Sequence, residues 1–398
     1  MTLETPRRLI WLLALTYGLT IANIYYCQPL LPEITGSYGP ATPALTTLNQ
    51  VGYALALVLI VPLGDIVRRR PLVCLLLCVD AMALILTAIA PTVGVLLAAG
   101  VVVGLASAGV VNILVAYAAT VAADHERGRA VGTMLTGGLT GVLLSRTVAG
   151  LVSQAVGWRV LFLAAAAVTL VLAATLARTM APADPEVSIG YLAQLRATVR
   201  LAATEPVLRR RSAIGACVFA SFGVFWATAA FLLAGPPYHF SAAAIGLVAL
   251  VGGAGVLAAR LTGRAADRGW QRPMTGLLLV LGAVSFAVLW LGGQHLTWFF
   301  VGLLAVDIAI HGTHLLNLSV VYGLTSAARS RIASVYMTAY TLGGVIGTAA
   351  GVAAYELAGW GAVCVVGAVC MITGLAVWIR DCRSAGYIAL NERIRGSA

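Results

Sequence analysis

Twelve apolar runs, most about 20 residues long, follow one another along a chain of 398 residues, and short segments between them carry nearly all of its charge. Wound as an α-helix at about 1.5 Å per residue, such a run crosses the roughly 30 Å hydrocarbon core of a bilayer. Hydrophobic residues make up 61% of the chain and charged residues 10%, where a water-soluble domain carries about 25% charge. No folding of this composition gives a polar surface of normal extent, so lipid must solvate most of the exterior. The pattern predicts an all-α membrane protein of twelve transmembrane helices. Breaks at charge, Pro and Gly clusters place the spans at 9–32, 44–66, 71–90, 94–122, 130–155, 159–177, 212–234, 242–263, 273–292, 297–324, 331–356 and 360–379. The first run holds Asn23 and Gln28 and no small-residue cleavage site, so it reads as a span and not as a removed signal peptide.

All 25 basic residues are Arg, and their placement orients the chain. With these spans, 23 lie on one side, in or within a turn of one alternating set of loops and the termini, Arg159 falls in the other set, and Arg146 lies within the membrane. Basic loops stay on the cytoplasmic side, which predicts a multi-pass membrane protein with both termini in the cytoplasm. The net charge of +11 is spread in short clusters between apolar runs, which argues against nucleic acid as a partner. Residues 179–211 form the one long polar segment, with an amphipathic stretch from Val187 to Ala203. They divide the chain into an N-terminal bundle, 1–178, and a C-terminal bundle with its tail, 212–398. The seven cysteines show no metal-binding spacing.

An internal repeat gives the strongest constraint on architecture. At a constant offset of 202, Asp65 recurs as Asp267, Arg70 as Arg272, Pro71 as Pro273, Arg127 as Arg329, and Arg129 as Arg331. Gly141 recurs as Gly343, Gly157 as Gly359, and Trp158 as Trp360. Chance matches between apolar helices favour Leu and Ala, not Asp, Arg, Pro and Trp. Two pseudo-symmetric six-helix bundles of parallel topology are the signature of a rocking transporter.

At these positions the chain resembles the major facilitator superfamily. The loop after the second span in that family reads roughly G-x-x-x-D-R-x-G-R-R. Here Asp65, Arg69 and Arg70 match, Val61 stands for the leading Gly, and Ile66 for the first Arg. The second copy, Gly263 to Gly269, with Asp267 and Arg268 and followed by Arg272, keeps the pattern better. Asn23 to Pro32, Arg127 to Gly150, and Asp307 to Asn317 resemble bacterial exporters of drugs, sugars and nucleosides driven by protons. The Gly-Pro signature of antiporters is absent from Gly137-Gly138-Leu139-Thr140-Gly141. The resemblance implies a cavity lined by the first, fourth, seventh and tenth spans. It also implies gating roles for Asp65, Arg69, Arg70, Asp267, Arg268 and Arg272.

Ionisable side chains at mid-membrane cost about 2.5–3.5 kcal/mol each on insertion scales, so each needs an account. Asp307, His311 and His314 follow i, i+4, i+7 and share one helix face, a protonatable strip or else a buried helix lock. Arg146 and Asp307 lie at similar depth, roughly 14–15 Å from one membrane face at 1.5 Å per residue. This makes Asp307 one partner for Arg146 and Asp80, mid-way along the third span, a competing one. These five are the proton-coupling candidates. Asn23, Gln28, Asn112, Phe222, Trp226, His314, Asn317, Tyr336 and Tyr340 are the cavity candidates, an amphipathic and mostly neutral set suited to a small organic compound. Ridges of small residues at Gly137, Gly141 and Ser145, at Gly255, Ala259 and Gly263, and at Gly343, Gly347 and Gly351 predict close helix packing.

The reading is a secondary active transporter, exporting a small organic compound against proton entry by alternating access. Proton symport or facilitated uptake uses the same scaffold. A membrane-embedded enzyme is disfavoured by the lack of HExxH, GxSxG and P-loop motifs, and a receptor by the lack of a large extramembrane domain. No cofactor or metal is expected, the proton gradient being the energy source. The expected partners are the substrate, protons and lipid, around a monomer.

Overall fold

The structure is a computed structural model that describes residues 7–123, 126–181, 191–254, 268–322, 324 and 329–396. Asp267, the ridge at Gly255, Ala259 and Gly263, and the start of the expected amphipathic stretch lie outside the described residues. All regular structure among the described residues is helical. Ten helical segments are long and apolar enough to cross a membrane. One of them, Ile332–Arg383, is two consecutive helices that meet at a kink at Ala358 and Gly359. With the shorter apolar helix Ala242–Gly252, the described helices follow the order of the twelve expected spans.

Two boundaries move outward from the sequence expectation, each for a visible reason. The first span is Arg7–Tyr38, not 9–32, because Pro32 stays inside a helix that begins at Cys27. Pro29 sits in that helix's first turn, where a missing N–H costs nothing, and fully buried Leu30, Leu31 and Ile34 hold the segment in place. The seventh span begins at Pro206, not 212. The triplet Arg209–Arg211 does not end the apolar helix, because Arg210 and Arg211 both pair with Asp381 at 3.2 Å.

The repeat is physical. Gly157 and Gly359, one repeat apart, both adopt left-handed backbone, with φ of 89° and 68°, and separate consecutive spans. The Trp that follows each is buried. The central glycines of the fifth and eleventh spans pack the same way. A Cβ on Gly141 would lie 2.0 Å from the Gly18 carbonyl oxygen, and in the second copy one on its repeat-mate Gly343 would lie 2.0 Å from that of Ala216, with Gly347 equally close to Ala220 one turn on. Only glycine permits that approach.

The chain divides into two compact units, one of residues 1–195 with Ala229–Leu250, the other of Arg196–Thr228 with Val251–Ala398. In the first unit the first span packs on the fifth, the second on the fourth, and the third on the fourth and sixth. The start of the eighth span also packs on the fifth, where the Thr147 hydroxyl donates to the Gly246 carbonyl at 2.9 Å. The Arg-rich end of this unit is pinned by the motif arginines. Arg69 donates to Thr120 at 2.8 Å and to the Gly64 carbonyl at 3.0 Å, with Asp65 at 3.5 Å, while Arg70 donates to the Ala177 carbonyl. In the second unit the ninth span packs on the tenth, and the Trp378 indole donates to the Arg272 carbonyl at 3.0 Å. Arg268 lies in the turn just before that span. The helix Tyr191–Thr204 occupies the linker, and Leu201 packs on Leu208, Ile332 and Tyr336.

Candidate functional site

Each unit buries its own polar cluster. In the second, the tenth span, Leu296–Tyr322, carries Asp307, His311, His314 and Asn317 along one face. Asp307 is 2% exposed. His311 Nδ1 sits 3.0 Å from the Asp307 carbonyl oxygen and 3.7 Å from its carboxylate, so it answers to backbone and side chain of the same residue. His314 Nδ1 meets the Tyr336 hydroxyl at 3.1 Å.

An aromatic wall faces this strip. Phe222 and His311 meet edge to face, with centroids 6.1 Å apart. Phe219 stacks on Phe222 at 5.2 Å and on Tyr340 at 4.2 Å, and Tyr340 lies 4.3 Å from His314. Trp226 continues the wall one turn beyond Phe222 at 6.2 Å. Gly252 closes it, since a Cβ there would touch Trp226 at 3.3 Å and the Asp307 carboxylate at 3.4 Å. The seventh, tenth and eleventh spans thus bring together six of the sequence candidates, Asp307, His311, His314, Phe222, Trp226 and Tyr340, with Tyr336 behind them. Asn317, a cavity candidate by sequence, is fully buried and accepts from Arg211 at 3.3 Å.

The first unit holds two further clusters. Asp80, fully buried, accepts from the Asn23 amide at 2.8 Å and from the Ser107 hydroxyl at 3.1 Å. Asn23 also reaches Thr169 at 3.3 Å, so the cluster around Asp80 draws on four spans. Among the described residues Asp80 has no cationic partner, and the Arg146–Asp80 pairing weighed from sequence does not occur. Arg146 donates to Gln28 at 2.8 Å and lies over the Tyr25 ring at 5.1 Å. Asn112, the repeat-mate of His314, donates to its own helix at the Ala108 carbonyl, 2.9 Å away.

Sequence reasoning missed Ser107, Thr169, Phe219, Arg211 and Asp381. Ser107 and Thr169 look like ordinary small helix residues. Asp381 had a signal, as an acidic residue within an Arg-rich end of a chain with only 14 Asp and Glu.

A buried titratable strip against aromatic rings, on a duplicated twelve-helix scaffold, is the arrangement of a solute carrier. The sequence profile of the Major Facilitator Superfamily matches residues 12–348. The chain belongs to that superfamily. As a member of the Major Facilitator Superfamily it is a transporter, not an enzyme. It is 36% identical over 380 residues to the putative uncharacterized transporter YgaY of Escherichia coli (strain K12), covering 95% of this chain and 96% of that one. It is 35% identical over 368 residues to the probable transporter SCO4007 of Streptomyces coelicolor, covering 91% and 85%. Among solved structures it is similar to a bacterial homologue of the human lysosomal transporter Spinster, with a TM-score of 0.69 and 17% identity over 94% of this chain and 95% of that one. It is also similar to the human organic anion transporter MFSD10, with a TM-score of 0.66 and 20% identity over 94% and 100%. These two likenesses establish the superfamily's fold. The motif arginines Arg69 and Arg70 and the strip on the tenth span therefore sit in a transporter scaffold.

Proposed function

We propose that this protein is a proton-driven exporter of a small organic compound, working by alternating access. The observation that carries the reading is the Asp307–His311–His314 strip set against Phe222, Trp226 and Tyr340. Carboxylate and imidazole exchange protons, and the rings offer a binding surface for an organic body, so both ligands meet one wall. A proton from the periplasm loads Asp307 or a histidine linked to it, which changes the charge beside the substrate and biases the side to which the cavity opens. Substrate leaves in exchange. Coupling of this kind requires proton and substrate to bias the same two-state element. The halves 1–178 and 212–398 rock about the linker 179–211.

The setting is a bacterial inner membrane, with both termini on the cytoplasmic side, as the Arg asymmetry favours. The partners are the substrate, protons and lipid; no cofactor takes part, and the carrier acts as a monomer. The test is flux in everted vesicles, after a toxic-compound screen in an efflux-deficient bacterium has supplied substrates. Accumulation that collapses with the pH gradient supports antiport. Movement in the opposite sense with the gradient identifies symport, and gradient-independent equilibration identifies facilitated uptake. A C-terminal reporter active only in the periplasm would overturn the orientation.

A further inference from the structure

The second unit contains a group of buried donors that neither the aromatic wall nor the titratable strip uses. Arg211 on the seventh span is 1% exposed and Asn317 on the tenth is fully buried. They touch through Arg211 Nη1 and Asn317 Oδ1 at 3.3 Å. That contact fixes the amide orientation and leaves Asn317 Nδ2 as a donor directed elsewhere. Neither Asn317 Nδ2 nor Arg211 Nε has a hydrogen-bond partner among the described residues. The hydroxyls of Thr313, one helical turn from Asn317 on the same face, and of Ser212, next to Arg211, also lack one. Thr313 is fully buried and Ser212 is 5% exposed.

Buried polar atoms are nearly always satisfied, so four such atoms on two neighbouring helices mark a place where a polar occupant belongs. The chemistry of the four selects it. Two are pure donors, and two are hydroxyls able to donate. The local charge points the same way. Two guanidinium groups, Arg210 and Arg211, share the single Asp381 carboxylate, each at 3.2 Å, which leaves an excess of one positive charge. Arg272, on the ninth span, adds its field to that at Arg211. Among the described residues Cys382 and the Tyr336 phenol also act on Arg211. A donor-rich, net-positive interior favours an acceptor that carries negative charge.

We propose that Arg211, Ser212, Thr313 and Asn317 form a binding site for an anionic group, either a small inorganic anion or the acid group of a transported compound. The site lies one to three helical turns along the tenth span from His311 and Asp307, and it does not depend on the carrier being proton-driven. Asp381 holds Arg211 in place and sets the site's charge.

The test is thermal unfolding of the purified full-length protein in gluconate buffer, titrated with chloride, nitrate, acetate or benzoate at constant ionic strength. The wild type is expected to gain about 2 °C or more with at least one anion, saturably. Asn317→Asp, which puts a negative charge at the site, should abolish the gain. Since that variant risks misfolding, Thr313→Val combined with Ser212→Ala serves as a second one and should weaken the anion dependence at least tenfold. Saturation by chloride or nitrate assigns a resident inorganic anion. A response confined to acetate and benzoate assigns the acid group of the substrate. Absence of any saturable response in the wild type, or a response unchanged in both variants, overturns the site.

Discussion

The Asn23 amide donates to the Asp80 carboxylate at 2.8 Å, across the interface of the first and third spans. Ser107 completes the pair from the fourth span at 3.1 Å. We predict that Asn23→Ala destabilises the protein by about 1–3 kcal/mol, because it leaves a fully buried carboxylate oxygen without its donor. Thr16→Val is the comparison. Thr16 is equally buried, but its hydroxyl donates to the Leu12 carbonyl of its own helix, so its loss should cost less. Thermal unfolding in detergent reads both. Equal melting temperatures for the two variants would contradict a bracing role for Asp80.

The glycine contacts give a second prediction, carried by backbone instead of charge. Gly141→Ala and Gly347→Ala each drive a methyl to 2.0 Å from a carbonyl oxygen of the neighbouring span, and backbone cannot step aside cheaply. Overpacking of this kind costs about 1–3 kcal/mol, and folded yield should fall sharply for both. Gly132→Ala meets nothing within 4 Å and replaces the poorer helix former, so its stability should hold or rise. A Gly141→Ala protein as stable as Gly132→Ala would show that the first and fifth spans do not pack this closely.

The particular residues show why some of this was legible in the sequence and some was not. Lipid imposes a composition, and backbone closure imposes helices, so twelve spans could be read from apolar runs alone. The offset of 202 predicted that Gly157 and Gly359 would do the same work, and both are left-handed breaks. The i, i+4, i+7 spacing put Asp307, His311 and His314 on one face because a single helix fixes it. Partners on other helices left no such trace. The contacts of Arg146 with Gln28 and the Tyr25 ring are set by how two helices face each other, which no spacing within one helix announces. Arg211 and Asp381, 170 residues apart, read as two ordinary charges at helix ends.

The motif at the end of the second span gives a kinetic prediction. Asp65 lies 3.5 Å from Arg69, and its side chain is 28% exposed, so the pair contributes less than about 1 kcal/mol to stability. We predict that Asp65→Asn folds normally, binds substrate with unchanged equilibrium affinity, and transports more slowly. The assignment rests on the placement of Asp65 at the Arg-rich end of its own unit, beside Arg69. Binding and initial-rate measurements on one purified preparation separate the two quantities. A large loss of affinity would remove Asp65 from gating and place it in the substrate path.

Asp307 gives the sharpest prediction, because two physical accounts of its burial part company in one variant. If Asp307 carries the coupled proton, Asn at this position mimics the permanently neutral form. The helix keeps its shape, His311 keeps its contact with the carbonyl of residue 307, and substrate still exchanges down its gradient. Uphill transport driven by a pH gradient is lost. If Asp307 instead locks the bundle through its charge, removing that charge strands its partners, and loss of one member of a buried pair typically costs about 3–5 kcal/mol. Asp307→Asn would then insert poorly or unfold at a lower temperature. His311→Gln divides the coupling account further, since it removes the imidazole 3.7 Å from the carboxylate while leaving the carboxylate itself. Coupling through the pair should shift the pH dependence of transport in His311→Gln and abolish it in Asp307→Asn. A well-folded Asp307→Asn protein that still pumps uphill with the wild-type pH profile would exclude Asp307 as the proton site and leave His311, His314 and Asp80 to be tested in its place.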